Sequence, residues 1–370
     1  LEADDWVGAF NGDLCVGTRQ WDTSMCNNSI CEIAIMGDAG TEFTTGYMQV
    51  GDMPVFKVYD ASADEVYWSM PSENIPWENL ATNYIESLQS YESYTIAMPL
   101  DEYSNLVSFY VLPEDNSVEG IMNDILPNIE GIIAAGSAAI YDSSMGWVGS
   151  LVELDTYSGY WLTMEQSDTL DLSGSPLNPF QVYDLQENAN LISFPVPGSV
   201  GLSEALPDDI EGSVGAVLTQ NSAALQIEPG IWVGTLQYFN GLKGYWFIVD
   251  TTLSFAYNLD GLARSAKKSY VETQPADFNY SQSSTQAFYF VHDVILRDSA
   301  IEVGDWILSY CGEVLSGIRQ WQGEYMDVPV MGTDGSERAA GYCSAGETPH
   351  FKLLTQTGET INLTSENIPK

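Results

Sequence analysis

The sequence predicts a mostly β fold: tandem small β-sandwich and α+β modules, internally repeated. Three observations predict it. Short apolar runs are separated by turn signals such as Asn11-Gly12, the chain repeats itself in two registers, and its composition is 45% hydrophobic and 12% aromatic. That apolar content supports a buried core, even though 52 Asp and Glu against 11 Lys and Arg leave a net charge of −41.

The first register is ungapped. Asn105-Leu106-Val107-Ser108-Phe109 recurs as Asn190-Leu191-Ile192-Ser193-Phe194, Trp147-Val148-Gly149 as Trp232-Val233-Gly234, and Gly159-Tyr160-Trp161 as Gly244-Tyr245-Trp246. Each recurrence lies 85 positions downstream, so residues 95–178 and 179–262 are two copies of one α+β module. The second register joins the two ends of the chain. Residues 2–21 match 302–321, and after a five-residue difference Met36-Gly37, Gly46-Tyr47 and Pro54 to Lys57 match Met331-Gly332, Gly341-Tyr342 and Pro349 to Lys352. The expected organisation is a β-sandwich-like module at 1–94, the α+β pair, a polar linker at 263–286, and a second sandwich-like module at 287–370.

In chain order, Trp6 to Phe10 and Leu14 to Gly17 flank Asn11-Gly12-Asp13, a strong hairpin signal because Asn and Gly accept positive φ. Further strands are expected at 32–36, 47–50 and 55–59. The α+β module should open with a strand at 106–111. A helix follows through Val118, Ile121, Met122 and Ile125, with acidic residues near its start. Strands at 138–141, 159–164 and 170–172 complete it.

Ahead of the second sandwich-like module stands a strong strand pair, Ala287, Phe288, Tyr289, Phe290, Val291 and then Val294, Ile295, Leu296. Its counterpart is missing before Leu1. Two readings fit: a longer natural protein, or donation of the missing strand by another chain. An open edge invites pairing, so these eight residues are the expected assembly elements.

The charge excludes partners. A phosphate backbone or an anionic membrane surface needs clustered cations, and residues 58–242 contain none. No apolar run reaches the roughly 20 residues of a membrane span, so neither nucleic-acid binding nor membrane insertion is expected.

Catalytic signatures are absent. No Gly-x-Ser-x-Gly elbow, phosphate-binding loop, dinucleotide fingerprint or His-Glu-x-x-His pattern occurs, and the two histidines, His292 and His350, lack companions for a metal triad. Paired carboxylates abound too widely to single out a hydrolase site. Cys26 and Cys31 bracket a loop unique to the first module, which suggests a local disulfide and an oxidising location. Cys15, Cys311 and Cys343 replace residues of the other copy and read as buried small hydrophobes. Asp4, Asp5, Asp13, Asp60 and Asp64 fall in or beside loops and could ligate calcium; a hydrated acidic face is the preferred reading of them. The repeated tryptophans fit either recurrent core positions or a carbohydrate-stacking platform. Arg19-Gln20-Trp21 and Arg319-Gln320-Trp321 form a repeated cation motif, each Arg expected to pair with a carboxylate or stack on Trp.

The first module type, with Asp5 to Asp13, Val16-Gly17, Arg19-Gln20-Trp21 and Gly46-Tyr47, resembles modules of uncharacterised secreted surface proteins of marine bacteria and of structural proteins of marine tailed phages. The second, with Asn-Leu-(Val/Ile)-Ser-Phe and Gly-Tyr-Trp, resembles the modules that accompany it there. The resemblance implies no catalytic residues. The expectation is therefore a non-enzymatic extracellular or virion-surface structural protein that forms a fibre, filament or surface layer, and could adhere, by module stacking and strand-edge contacts in self-association with identical chains or adjacent modules. A glycan-binding array is the alternative, a secreted hydrolase the third reading.

Overall fold

The computed structural model describes residues 1–370 apart from 13, 74, 92–93, 177–178, 260, 264–266, 268–273, 297–298 and 365–370. It is mostly β, as the sequence predicts, with several separate antiparallel sheets and only short helices. Among the described residues no helix is long and apolar enough to cross a membrane. The chain divides into two compact units. One holds residues 1–96, 111–114 and 172–181; the other holds the rest, and so gathers the third and fourth modules with most of the second.

The first unit is built on a five-stranded sheet, ordered Leu14–Gln20, Trp6–Asn11, Val55–Asp60, Glu65–Pro71 and Leu88–Tyr91. The turn Asn11-Gly12 closes its first hairpin, with Gly12 at φ 57°, where glycine meets no Cβ penalty. Period-two alternation sends Val7, Ala9, Val16, Phe56 and Val58 to one face, where they bury together with Met48. Lys57 lies over the rings of Phe10 and Trp68, 4.7 and 4.1 Å from their centroids.

Two expected strands of this module do not form. Residues 32–36 and 47–50 carry no ladder; one parallel bridge joins Gly37, just past the first segment, to Met48. For residues 32–36 the fourth module gives the reason. There the counterpart of 32–36 is a strand, Met326–Met331, because Gln286–Val291 pairs with it residue for residue, from Gln286 opposite Met331 to Val291 opposite Met326. A strand needs a neighbour to satisfy its main chain.

In the second unit the two α+β copies carry equivalent five-stranded sheets. The second module orders its strands Gly146–Gly149, Ser137–Asp142, Ile129–Ala134, Gly159–Met164 and Tyr103–Ser108. The third orders Ile231–Gly234, Ser222–Glu228, Val214–Thr219, Tyr245–Val249 and Asn188–Ile192. The helix Val118–Met122 is where the apolar spacing places it. Ser117 caps it by accepting from the Gly120 amide, and Val118, Ile121 and Met122 are buried. Ile129–Ala134 and Gly146–Gly149 are strands that sequence reasoning missed; in the first, Gly131 and the adjacent Ile132 and Ile133 break the alternation.

The fourth module repeats the sheet of the first with Val314–Gln320, Trp306–Cys311, His350–Leu354 and Thr360–Leu363. The bulge recurs too, between Ala9 and Phe10 and between Ser309 and Tyr310. Where it is described, the stretch expected as a linker packs instead: Phe278 and Tyr280 lie against Trp306, Leu308, Ile318 and Leu354. Their aromatic rings outweigh the polar residues around them.

Candidate assembly interface

Within the second unit, the two α+β copies meet about a local pseudo-two-fold axis. Val107 bridges Lys243 and Ser158 bridges Ile192, so each contact maps onto the other by the 85-residue offset. The Ser108 amide donates to the Leu242 carbonyl at 3.2 Å, and the Ser193 amide donates to the Tyr157 carbonyl at 2.9 Å, again the same contact made twice. Gly159 lies against Leu191 and Gly244 against Leu106. Leu106, Trp161, Leu191 and Trp246 fill the centre. This reciprocity is that of an isologous dimer, realised here inside one chain.

The fourth module docks on the third through a buried ion pair. Arg319 Nη2 lies 3.3 Å from Asp327 Oδ2, with the side chains 2% and 0% exposed. Burial pushes the Asp327 carboxyl up from its usual range, and Arg319 with the surrounding donors opposes that rise. The third module supplies three of those donors: the Ala223 amide at 2.9 Å, the Thr235 amide at 2.7 Å and the Thr235 hydroxyl at 2.8 Å. Arg319 returns a bond to the Asn221 carbonyl at 2.8 Å. Desolvated charges survive only when so completely partnered. Tyr280 and Gln286 extend the seam by bonding Asn221 Oδ1 and the Thr219 carbonyl. Phe290 lies close above Gly234. The fourth module also reaches the second. Arg338 bonds Glu130 at 2.9 Å and stands 4.8 Å from the Tyr103 ring centroid.

The same pair recurs in the first module, where it is solvent-exposed. Arg19 Nη1 lies 2.9 Å from Glu32 Oε1, and these side chains are 33% and 74% exposed. Position 32 corresponds to 327 and position 19 to 319. Thus the repeated cation motif does pair with carboxylates, in one copy buried and in the other open.

The eight residues expected to exchange strands lie elsewhere in the architecture. Ala287, Phe288, Tyr289, Phe290 and Val291 are already paired within the fourth module. Val294, Leu296 and Val291 pack on its core beside Trp321, Val328 and Leu353, while Ile295 is exposed and pairs with Ala300. They are not a hairpin with one another, because each run pairs with a different segment. In the first module Ile85, Leu88 and Trp77 pack onto the corresponding core, and Trp77 Nε1 donates to the Ile35 carbonyl at 3.0 Å. Side chains thus occupy part of the place that the Gln286–Val291 strand fills in the fourth module.

The aspartates considered for calcium are not brought together. Asp5 is buried and accepts from the Glu2 and Ala61 amides; its counterpart Asp305 accepts from Glu302 and Gln356 in the same way, which marks a loop tie common to both copies. Asp60 closes its own turn through Ser62 and Ala63, and Asp64 accepts from the Tyr59 hydroxyl. Asp4 is exposed and Asp13 lies outside the described residues. No three His, Cys, Asp or Glu groups converge on a cation position among the described residues.

Cys26 and Cys31 form a disulfide. Cys311 and Cys343 form a second, where two buried thiols were expected; the fold brings the Trp306–Cys311 strand beside the segment bridged to Gly332. Cys15 is exposed rather than buried, whereas its counterpart Leu315 packs against the cluster of Trp306, Leu308, Ile318 and Leu354. Of the eight repeated tryptophans three are buried and four, Trp21, Trp147, Trp232 and Trp246, are half-buried. Trp161, Trp306 and Trp321 are buried, and Trp232 is tied to Glu211 at 2.7 Å; Trp6 alone of the repeated set is 42% exposed. No family model, curated protein or solved structure matches the chain.

Proposed function

We propose that this chain is a non-enzymatic structural protein that builds an extracellular or virion-surface fibre, filament or layer by docking module upon module. The observation that carries this reading is the seam between the third and fourth modules, where Arg319, Asp327, Ala223 and Thr235 are buried together. Such desolvated complementarity belongs to permanent contacts, and repetition of the module types supplies further faces of the same kind.

Two disulfides support an oxidising, extracellular setting. The acidic surface suits saline surroundings, where dissolved cations such as calcium screen the carboxylates between neighbouring chains. Strand exchange is a less favourable route, because Gln286–Val291 would first have to leave its own partner. The glycan-array alternative is less favoured because, of the eight repeated tryptophans, three are buried, four are half-buried and only Trp6 is exposed. Electron microscopy of the purified chain in saline buffer should show filaments or ordered arrays. Well-dispersed particles that bind a glycan array would overturn the reading in favour of the alternative.

A further inference from the structure

Besides the Arg338 contact with the second module, the two module types meet within the second unit at one buried seam. The components of a second such seam are both present, with their polar groups at least partly exposed. On the third module, the docked surface consists of the Ala223 amide, the amide and hydroxyl of Thr235, and the Asn221 carbonyl. The 85-residue offset places their counterparts at Ala138, Ser150 and Gly136 of the second module. Every functional group survives the change. Two amides and a carbonyl are main-chain, and serine keeps the hydroxyl.

Coverage does not survive. Ala223 is 0% and Thr235 4% exposed, whereas Ala138 is half-buried and Ser150 exposed. The Ser150 amide donates instead to the Ala138 carbonyl at 2.9 Å. The matching ligand face is also bare: Glu32 is 74% exposed beside Arg19. Glutamate for aspartate keeps the carboxylate, and the Cys26–Cys31 loop sits beside the guanidinium, with Arg19 Nη2 3.8 Å from Cys26 Sγ.

We propose that the Arg19–Glu32 face of one chain docks on the hairpin of Ser137–Asp142 and Gly146–Gly149 of a second copy. Glu32 takes the amides of Ala138 and Ser150 and the Ser150 hydroxyl, and Arg19 takes the Gly136 carbonyl. This deepens the assembly reading and rests on it. The contact joins two different surfaces, so it is heterologous: each chain carries one of each, and association continues into an open filament unless the rotation closes a ring. No internal strand has to be unseated.

Sedimentation of the full chain across the micromolar range tests it with two complementary variants. The wild-type mass should rise above 40.6 kDa with concentration. Glu32→Lys and Ser150→Trp, both surface changes, should each remain at the monomer mass with unaltered circular dichroism and melting. Mixed in equal amounts, they retain one working contact per pair, so the mass should stop at twice that of the chain. Glu32→Asp, which recreates the fourth module's pair, should associate like the wild type. If the single variants assemble undiminished, the docking face is wrong while the assembly reading stands. If the wild type stays monomeric at every concentration, both fall.

Discussion

Arg319 and Asp327 lie 3.3 Å apart with almost no exposure, while Arg19 and Glu32, the same two positions in the first module, lie 2.9 Å apart in the open. One sequence motif therefore occupies two dielectric settings in one chain, and the consequences of breaking it should differ. Asp327→Ala leaves a buried guanidinium without its partner and should cost about 3–5 kcal/mol. Glu32→Ala should cost less than about 1 kcal/mol, as exposed pairs do. Denaturant unfolding monitored by tryptophan fluorescence reads both. Equal effects at the two sites would contradict the difference in burial.

The pseudo-two-fold seam makes a paired prediction. Leu106 and Leu191 are 0% and 6% exposed and fill the same central cluster from opposite sides. Truncation of either to alanine should cost about 2–5 kcal/mol, the range for large-to-small changes in a packed core. The two costs should be similar, and the double variant should lose less than their sum, since both enlarge one cavity. Additive or grossly unequal costs would show that the seam is not reciprocal.

Acid should weaken the loops before the sheets. Asp60, Asp115 and Asp142 are each held below the ordinary carboxylate value of 3.8, first by the hydroxyls of Ser62, Ser117 and Ser144. A depressed folded value means that the folded state favours the ionised form. That stability is present above the unfolded value and is lost as pH falls through the folded one. Thermal midpoints should therefore decline below about pH 4, with hydrogen exchange at residues 60–63, 115–118 and 142–145 rising first. A midpoint that climbs on acidification through this window would contradict it.

The charge of −41 should govern association more than folding. Like-charged chains repel over roughly 8 Å in physiological salt and over longer distances as salt is removed. Assembly measured by light scattering should weaken in low-salt buffer and recover with added sodium or calcium chloride. Assembly that is indifferent to salt would place the carboxylates away from every contact surface.

Much of the fold was legible because repetition amplifies weak signals. The Asn11-Gly12 hairpin, the helix through Val118 and Met122 and the Gly159–Met164 strand all follow from turn chemistry and period. Residues 32–36 defeated the reading because a strand is a property of two segments, and only the fourth module has the second one. The Cys311–Cys343 link escaped it because residues 32 positions apart meet only after the sheet has formed. For the interface, the sequence singled out Arg19 and Arg319 by their repetition. It did not reveal that Asp327 faces Ala223 and Thr235, since such contacts across roughly a hundred positions leave no periodic trace.

The docking of the two module types is tested most directly by amide hydrogen exchange on the intact chain, dilute against concentrated, resolved to short peptides. The account predicts slower exchange on concentration at Ala138 and Ser150 and around Arg19 and Glu32, with the already buried Ala223 and Thr235 unchanged. Identical exchange at all four open positions under conditions where the chain has assembled would contradict it.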